Sequence, residues 1–395
     1  MELGIVGKPN VGKSTFFSAL TLNDVSIANY PFTTINANIG VSHIRTKCPH
    51  LDTDVVCNPR VGYCKKGVRW VPVQMIDVAG LVPGAYEGKG LGNKFLDDVR
   101  KASALIHIVD ASGSTDSEGN PIPPGTHNPM DDISFLENEI VHWIAGIIEK
   151  GWERISRRIE LEGLKLERMM GEKLTGLGIS EESIYKAIRE SELPSKPSKW
   201  KKDDMILLAR KIRKKSKPMI IAANKADKTS EEELKKLLGL ENYIIIPTSA
   251  EYELALRKAA QKGLIEYSPG DKNFKIIENA NLSNQQKHAL DKISEYMEKF
   301  NGTGVQKVIE RAIYDLLGLI IVYPVEDENK WCDHDGRVLP DAYAMKPLTV
   351  LDMAYKVHTD LGENFIRAVD GRTKRILGHD HGLKNGDVIK IIAKK

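Results

Sequence analysis

The chain has 395 residues, 41% of them hydrophobic and 28% charged, with a formal net charge of +3. That length supports two or three domains with real cores, and the balance is too even to argue for nucleic acid without a local charge cluster. Four cysteines (Cys48, Cys57, Cys64 and Cys332) are too few for a disulfide scaffold and suit a reducing cytosol. No apolar run approaches the length of a membrane span. The first strand starts at the first residues, so no signal peptide is expected, and the expectation is a soluble cytoplasmic chain without a membrane partner.

Met1–Val6 is a short apolar run, followed at once by Gly7-Lys8-Pro9-Asn10-Val11-Gly12-Lys13-Ser14. The pattern G-x-x-x-x-G-K-S between a strand and a helix (Thr15–Leu22) is a phosphate-binding loop. Gly7 and Gly12 let the backbone turn so that several N–H groups face one anion, and the helix start adds its positive end. Lys13 supplies a point charge for the β- and γ-phosphates, and the Ser14 hydroxyl can ligate a magnesium ion. Gly7, Pro9, Asn10, Val11, Gly12, Lys13, Ser14 and Thr15 are therefore the candidate nucleotide contacts of this stretch.

Asn29-Tyr30-Pro31-Phe32-Thr33-Thr34 reads as an exposed loop, because Pro31 forbids helix. It lies where nucleotide switches carry a threonine that completes a magnesium shell. Ile39–Arg45 and Trp70–Ile76 alternate apolar residues and predict a pair of strands. Between them, Cys48, His50, Cys57 and Cys64 offer three thiols and an imidazole, a set that zinc accepts. Their spacing fits no familiar paired Cys-x-x-Cys knuckle, so reduced, semi-buried cysteines are expected rather than a zinc site. Asp77-Val78-Ala79-Gly80 follows the second strand. Asp77 can hold magnesium through a water, and the Gly80 N–H can meet the γ-phosphate. The next residue, Leu81, stands where many GTPases place a glutamine that orients water, a task leucine cannot perform.

After a helix over Asn93–Ala102, Ala104–Asp110 is a continuous apolar run, as in a buried parallel strand. Residues 112–130 read as a loop. From Ile133 to about Lys215 the pattern is helical and highly charged, which predicts two or three long helices or a coiled-coil hairpin. Its second half is basic, with Lys196, Lys199, Lys201, Lys202, Arg210, Lys211, Arg213, Lys214, Lys215 and Lys217. On an arm that interrupts a nucleotide-binding fold, these residues are candidates for RNA contact. Pro218–Ala223 resumes the parallel-strand pattern and ends in Asn224-Lys225-Ala226-Asp227. The Asp227 carboxylate can accept from guanine N1–H and the 2-amino group together, a pair adenine does not offer. Strand Tyr243–Ile246 precedes Thr248-Ser249-Ala250, where Ser249 and Ala250 are candidate contacts to the base. Residues 320–395 read as a small separate α+β module, with Thr349-x-x-Asp352 capping its helix.

The blocks GKPNVGKS, YPFTT, DVAG, NKAD and TSA resemble those of translation-factor-type GTPases, and Asp77–Leu96 is similar to the second switch of the Obg family, closely so to its YchF-type branch. Thr349–Asp352, Val357–Asp360, Phe365–Ala368 and the closing GDVIKII resemble a TGS domain, a β-grasp module. The resemblance covers essentially the whole chain. It implies a doubly wound, mainly parallel P-loop GTPase domain with an inserted helical, coiled-coil-like arm and a C-terminal β-grasp domain. The expected boundaries are 1–128 and 217–318 for the GTPase domain and its connecting helices, 129–216 for the arm and 319–395 for the TGS-like domain. It also implies that Thr34 is the magnesium-binding switch threonine, that Lys13, Thr34, Gly80 and Asn10 serve catalysis, and that Ser14, Thr34 and Asp77 hold Mg2+, Asp77 through water. Members without the glutamine often use K+, with an asparagine at the position of Asn10 as a ligand. The implied function is slow GTP hydrolysis by a monomeric GTP/GDP switch acting on the ribosome or another structured RNA. Two alternatives stand beside it: a guanine-nucleotide sensor whose output is binding, and an ATP-accepting hydrolase, which the intact Asn224 and Asp227 disfavour.

Overall fold

A parallel strand buried on both faces favours apolar side chains, and two stretches of this chain are apolar apart from His107, Asp110 and Asn224. Ala104–Asp110 and Met219–Asn224 are buried throughout. The computed structural model describes residues 2–22, 38–79 and 92–394. The switch residues singled out above, Thr33, Thr34, Gly80 and Leu81, lie outside the described residues. The described chain forms two units, one of residues 2–22, 38–40, 74–79 and 92–308, the other of residues 41–73 and 309–394.

In chain order, β1 (Glu2–Val6) leads to α1 (Lys13–Thr21), then β2 (Ile39–Lys47), β3 (Tyr63–Lys65), β4 (Val68–Asp77), α2 (Gly92–Lys101) and β5 (Ala104–Asp110). Helices α3 (Pro129–Glu149), α4 (Trp152–Glu162), α5 (Leu166–Leu174), α6 (Glu181–Arg189) and α7 (Lys202–Ser216) follow. Next come β6 (Met219–Asn224), α8 (Glu231–Leu238), β7 (Ile244–Pro247), α9 (Ala250–Gln261), β8 (Ile265–Glu266), β9 (Lys275–Ile276), α10 (Asn284–Phe300) and α11 (Val305–Arg311). The last stretch contains β10 (Ile320–Val325), β11 (Tyr343–Met345), α12 (Val350–Val357), α13 (Thr359–Glu363), β12 (Phe365–Asp370), β13 (Ile376–Leu377) and β14 (Val388–Ala393).

In the first unit the strand order is β4-β1-β5-β6-β7, and each pairing along it is parallel. The carboxyl ends therefore gather at one edge, with Asp110 opposite Asn224 and Ala223 opposite Pro247. Ligands of open α/β sheets bind at such an edge.

The insertion is helical, but as five helices of 9 to 21 residues rather than two or three long ones or a coiled-coil hairpin. Gly151, Gly163 and Gly178 take positive φ at the breaks, and Pro194 and Pro197 occupy the gap before α7. The apolar faces do not zip into a seam of their own. Ile133, Leu136, Ile140 and Ile144 of α3 join Met205, Leu208 and Ile212 of α7 in one core with Val109, Ile221 and Ala223 of the sheet. Trp152 and Trp200 stack with ring centroids 5.0 Å apart.

The basic run divides on burial. Lys196, Lys199, Lys201, Lys202, Arg210 and Lys214 are exposed, as a solvated or RNA-facing surface requires. Arg213 is not available to such a partner: its side chain is 4% exposed and pairs with Glu137, which also accepts from the Tyr243 hydroxyl. Lys215 is half-buried and paired with Glu190 at 2.6 Å. Spacing along a helix does not reveal which cation faces the core, and α7 is covered on that side by α3.

In the second unit, β3 pairs antiparallel with β4 (Cys64 opposite Arg69), a strand the sequence pattern did not indicate. Its sheet of order β11-β10-β14-β12-β13 has β10 and β14 parallel and the remaining pairs antiparallel. Helix α12 covers it through Val350 and Met353, packed with Val322, Leu377 and Ile389. Thr349 and Asp352 form the expected capping box, with each backbone N–H bonded to the other's side chain. The fully buried Arg69 donates to the carbonyls of Leu339 (3.0 Å) and Pro340 (3.2 Å). The backbone N–H groups of Asn58 and Arg60 donate to the carbonyls of Val338 and Pro340. Residues 41–73 are thereby built into the same unit as the C-terminal sheet.

Removing one partner of a buried ion pair strands the other charge. Arg213→Ala should cost about 3 kcal/mol in urea denaturation, whereas Lys214→Ala, at an exposed position, should stay within about 0.5 kcal/mol.

Candidate nucleotide site

The loop between β1 and α1 is shaped by backbone conformations that few side chains permit. Gly12 has φ 98°, and a Cβ there would lie 2.3 Å from Asn224 Nδ2. Gly7 has φ 151°, and a Cβ would lie 2.5 Å from the Ile108 carbonyl oxygen. Asn10 takes φ 60°, a conformation asparagine tolerates better than most residues. Lys13 arches back over the loop, its Nζ donating to the Lys8 carbonyl at 3.1 Å. Ser14 is exposed at the start of α1.

Asn224, at the end of β6, is the hub. Its Nδ2 donates to the Val11 carbonyl at 2.9 Å, and its Oδ1 accepts from the Ala250 backbone N–H at 3.0 Å. One buried amide thus joins the phosphate loop, the N-K-x-D turn and the Thr248-Ser249-Ala250 loop. The Thr248 N–H donates to Ala223 and the Ala226 N–H to Thr248, which closes the two loops on each other. Ser249 caps α9, accepting from the Tyr252 N–H. Gly12, Thr15, Asn224, Lys225, Asp227, Lys228, Ser249 and Glu251 line one open cavity. Gly12 and Thr15 from the phosphate loop thus share one recess with the base candidates Asn224, Lys225 and Ser249, and half-buried Asp227 stands in its wall.

The remaining candidates lie around this recess. Lys225 donates to Asp110 Oδ2 (2.8 Å) and Ser114 Oγ (3.3 Å), so it braces the loop after β5. Burial alone would raise the Asp110 pKa, but Lys225, Ser112 and Ser114 outweigh it and hold the carboxyl below its usual range. The Asn10 amide nitrogen donates to the Gly119 carbonyl at 2.9 Å, leaving its oxygen as the atom able to meet a cation. Asp77 ends β4 with Oδ1 buried and without a hydrogen-bond partner among the described residues. Burial raises the Asp77 pKa against the attraction of Lys13, and burial lowers that of Lys13 against the attraction of Asp77.

Two supports were missed because their signal is not local. Lys8, a variable position of the motif, is 4% exposed and reaches Asp132 Oδ1 (2.9 Å) and the Thr115 carbonyl (2.9 Å). His127 Nε2 lies 2.8 Å from the same Asp132 oxygen. The first turn of α3 is thus anchored to the phosphate loop by residues more than a hundred positions apart. His107, in β5 opposite Val6, is fully buried, and its pKa is pushed down to about 3 by burial and then by the charges of Lys13 and Lys8.

A phosphate loop, an N-K-x-D turn and a following loop converging at the carboxyl edge of a parallel sheet define a P-loop GTPase fold. Comparison with known proteins agrees along the chain. The family described as 50S ribosome-binding GTPase matches residues 2–139, the Obg-like GTPase YGR210-like, G4 motif-containing domain matches residues 222–327, and the TGS domain matches residues 335–393. A GTP-binding protein of Methanocaldococcus jannaschii is 50% identical over 394 residues, covering 99% of this chain and 98% of that protein. The ribosome-binding ATPase YchF of Bacillus subtilis is 28% identical over 381 residues, covering 93% and 87%. The crystal structure of a GTP binding protein from Pyrococcus horikoshii superposes with a TM-score of 0.80 at 44% identity over 100% of both chains. The chain belongs to the Obg-like GTP-binding proteins and carries a C-terminal TGS domain. No helix among the described residues is long and apolar enough to cross a membrane.

The low His107 pKa carries a definite sign. The unfolded chain takes up a proton near the ordinary value of 6.5, and the folded chain does not until about 3. Stability from this group is intact above the unfolded pKa and falls as pH drops below it, by at most about 1.4 kcal/mol per pH unit. His107→Leu should flatten the loss seen by chemical denaturation between about pH 7 and about pH 5.

Proposed function

We propose that this protein binds GTP and GDP in the Gly12–Asp227 recess, hydrolyses GTP slowly, and uses the nucleotide state to change its hold on a ribosomal or structured-RNA partner. One observation carries the reading. The Asn224 amide fixes the N-K-x-D turn to the phosphate loop, so that Asp227 and the residues Gly12 and Thr15 line the same cavity. A carboxylate at that place accepts from two guanine donors at once, which supports guanine over adenine. The YchF relative of Bacillus subtilis is named an ATPase, so the choice of base is the first thing to test. GTP should bind much more tightly than ATP, and Asp227→Ala should narrow the gap by roughly 2–5 kcal/mol if the pair is desolvated. Equal affinities in the unaltered protein, read by calorimetry, would reject the guanine reading.

Magnesium suits the residues present. Asp77 Oδ1, unpartnered among the described residues, and the exposed Ser14 hydroxyl are oxygen donors of the kind it prefers, and Thr34 is the third candidate ligand. When bound, magnesium neutralises charge on the β- and γ-phosphates. Lys13 supplies a second positive charge there, and the phosphates would in turn favour its ionised form. With Leu81 in place of a glutamine, the remaining charge stabilisation is assigned to K+ held by the phosphates and the Asn10 oxygen, with the Gly80 N–H on the γ-phosphate. Relatives named as ribosome-binding, the TGS module and the exposed lysines of 196–214 support the RNA partner.

Unstimulated turnover should be on the order of 10⁻⁴ to 10⁻² per second. Phosphate release measured in K+ and in Na+ at equal ionic strength, with and without ribosomal subunits, separates the readings. Faster release in K+ and a large stimulation by subunits are expected. Matching rates in the two salts would discard the potassium ligand. Tight nucleotide-dependent co-sedimentation without stimulation would favour the sensor, whose output is binding.

A further inference from the structure

The spacing of the cysteines between β2 and β4 argued against a metal, but spacing along a chain is a poor guide where the chain folds back on itself. Cys48 directly follows β2, and Pro49 starts a short 3-10 turn (Pro49–Asp52) that carries His50. Cys57 follows in an irregular stretch, and Cys64 sits in β3. The Cys48 N–H donates to the Gly67 carbonyl at 2.9 Å, which pins the turn against the bend between β3 and β4.

The four ligand atoms of Cys48, His50, Cys57 and Cys64 all lie within 4.8 Å of one another. Cys48 Sγ is 3.7 Å from Cys57 Sγ, and Cys64 Sγ is 3.7 Å from His50 Nδ1. A tetrahedral zinc ion with Zn–S near 2.3 Å and Zn–N near 2.0–2.1 Å sets its ligands about 3.8 Å apart for two sulfurs and about 3.6 Å apart for sulfur and nitrogen. A disulfide requires sulfurs at about 2.05 Å, so this geometry is not a bridge. Cys48 is fully buried, Cys57 nearly so, and the other two are half-buried. The buried Arg69 guanidinium acts electrostatically on Cys57 and Cys64, and so offsets the surplus negative charge of three thiolates around a divalent ion.

We propose that Cys48, His50, Cys57 and Cys64 form a structural Cys3His zinc site. Four protein ligands leave no open position, so the site is closed and does no chemistry. Soft sulfur donors select zinc over magnesium or calcium. Its task is to hold residues 48–64, which have little regular structure, in the form that presents the Asn58 and Arg60 backbone N–H groups to the carbonyls of Val338 and Pro340. This inference is independent of the nucleotide reading.

The full-length protein, purified under reducing conditions and supplied with zinc, is desalted and its metal content read by native mass spectrometry and elemental analysis. One zinc per chain is expected. Replacement by Co2+ should give the thiolate-to-cobalt charge-transfer bands and intense visible bands of a tetrahedral sulfur-rich site. Cys57→Ser and Cys64→Ser should lose both signals, and Cys332→Ser, a buried cysteine outside the cluster, should keep them. Should the first two variants fail to fold, the unaltered protein still decides: chelation must release one zinc and raise the count of thiols open to a thiol reagent by three. Zinc absent after desalting, an octahedral cobalt spectrum, iron bound in its place, or a mass two units low from a Cys48–Cys57 disulfide would each overturn the proposal.

Discussion

The nucleotide unit depends on one buried side-chain amide. Asn224 gives its N–H to the Val11 carbonyl and takes the Ala250 N–H on its oxygen, and no other side chain of its size offers a donor and an acceptor on one planar group. An aspartate there would put a carboxylate oxygen against the Val11 carbonyl. An alanine would leave a buried carbonyl and a buried N–H unpaired, at about 1–3 kcal/mol each. The close approach also fixes its neighbour: Gly12 lies so near the amide that any Cβ would collide with it. The phosphate loop and the N-K-x-D turn are therefore parts of one object, coupled through contacts too tight to vary independently.

Around that object stand two further ties, both between distant parts of the chain. Lys225 with Asp110 holds the loop after β5, and Lys8 with Asp132 holds the first turn of α3. Each ion pair is largely buried and has additional hydrogen-bond partners, the condition under which a charge is tolerated away from water. The helical insertion is consequently a continuation of the nucleotide unit. Its apolar faces complete the sheet's core, and its first turn supports the loop that would carry the phosphates.

The second unit solves a different problem. The excursion between β2 and β4 lacks the strands needed to cover itself, and its polar backbone is satisfied by carbonyls near residues 338–340 and by the buried Arg69. A small β-sheet with one helix buries a limited core, and such modules gain much from a cross-link or a metal. The cluster of three thiols and an imidazole lies in the part of this unit with the least regular structure.

The sequence alone determined the elements whose physics is local. Strand, glycine turn and helix over the first 21 residues, the mainly apolar strands at 104–110 and 219–224, and the Thr349–Asp352 capping box each follow from backbone conformation or periodicity within a dozen residues. It also placed the family motifs along the chain, because each motif is a short backbone shape. The tertiary structure alone decided what depends on which distant residue arrives. It gave Arg213 to Glu137 in the core although its helix reads as a basic surface, and turned a supposed long-helix arm into five helices closed onto the sheet. It assigned Lys8 to Asp132 and Lys225 to Asp110, pairings separated by more than a hundred residues. It drew Cys48, His50, Cys57 and Cys64 to within a metal's reach despite a spacing that matches no familiar motif. Charge and thiol chemistry are written in residue types, but their partners are set by the path of the folded chain, and burial, which fixes their energy, exists only once that path is closed.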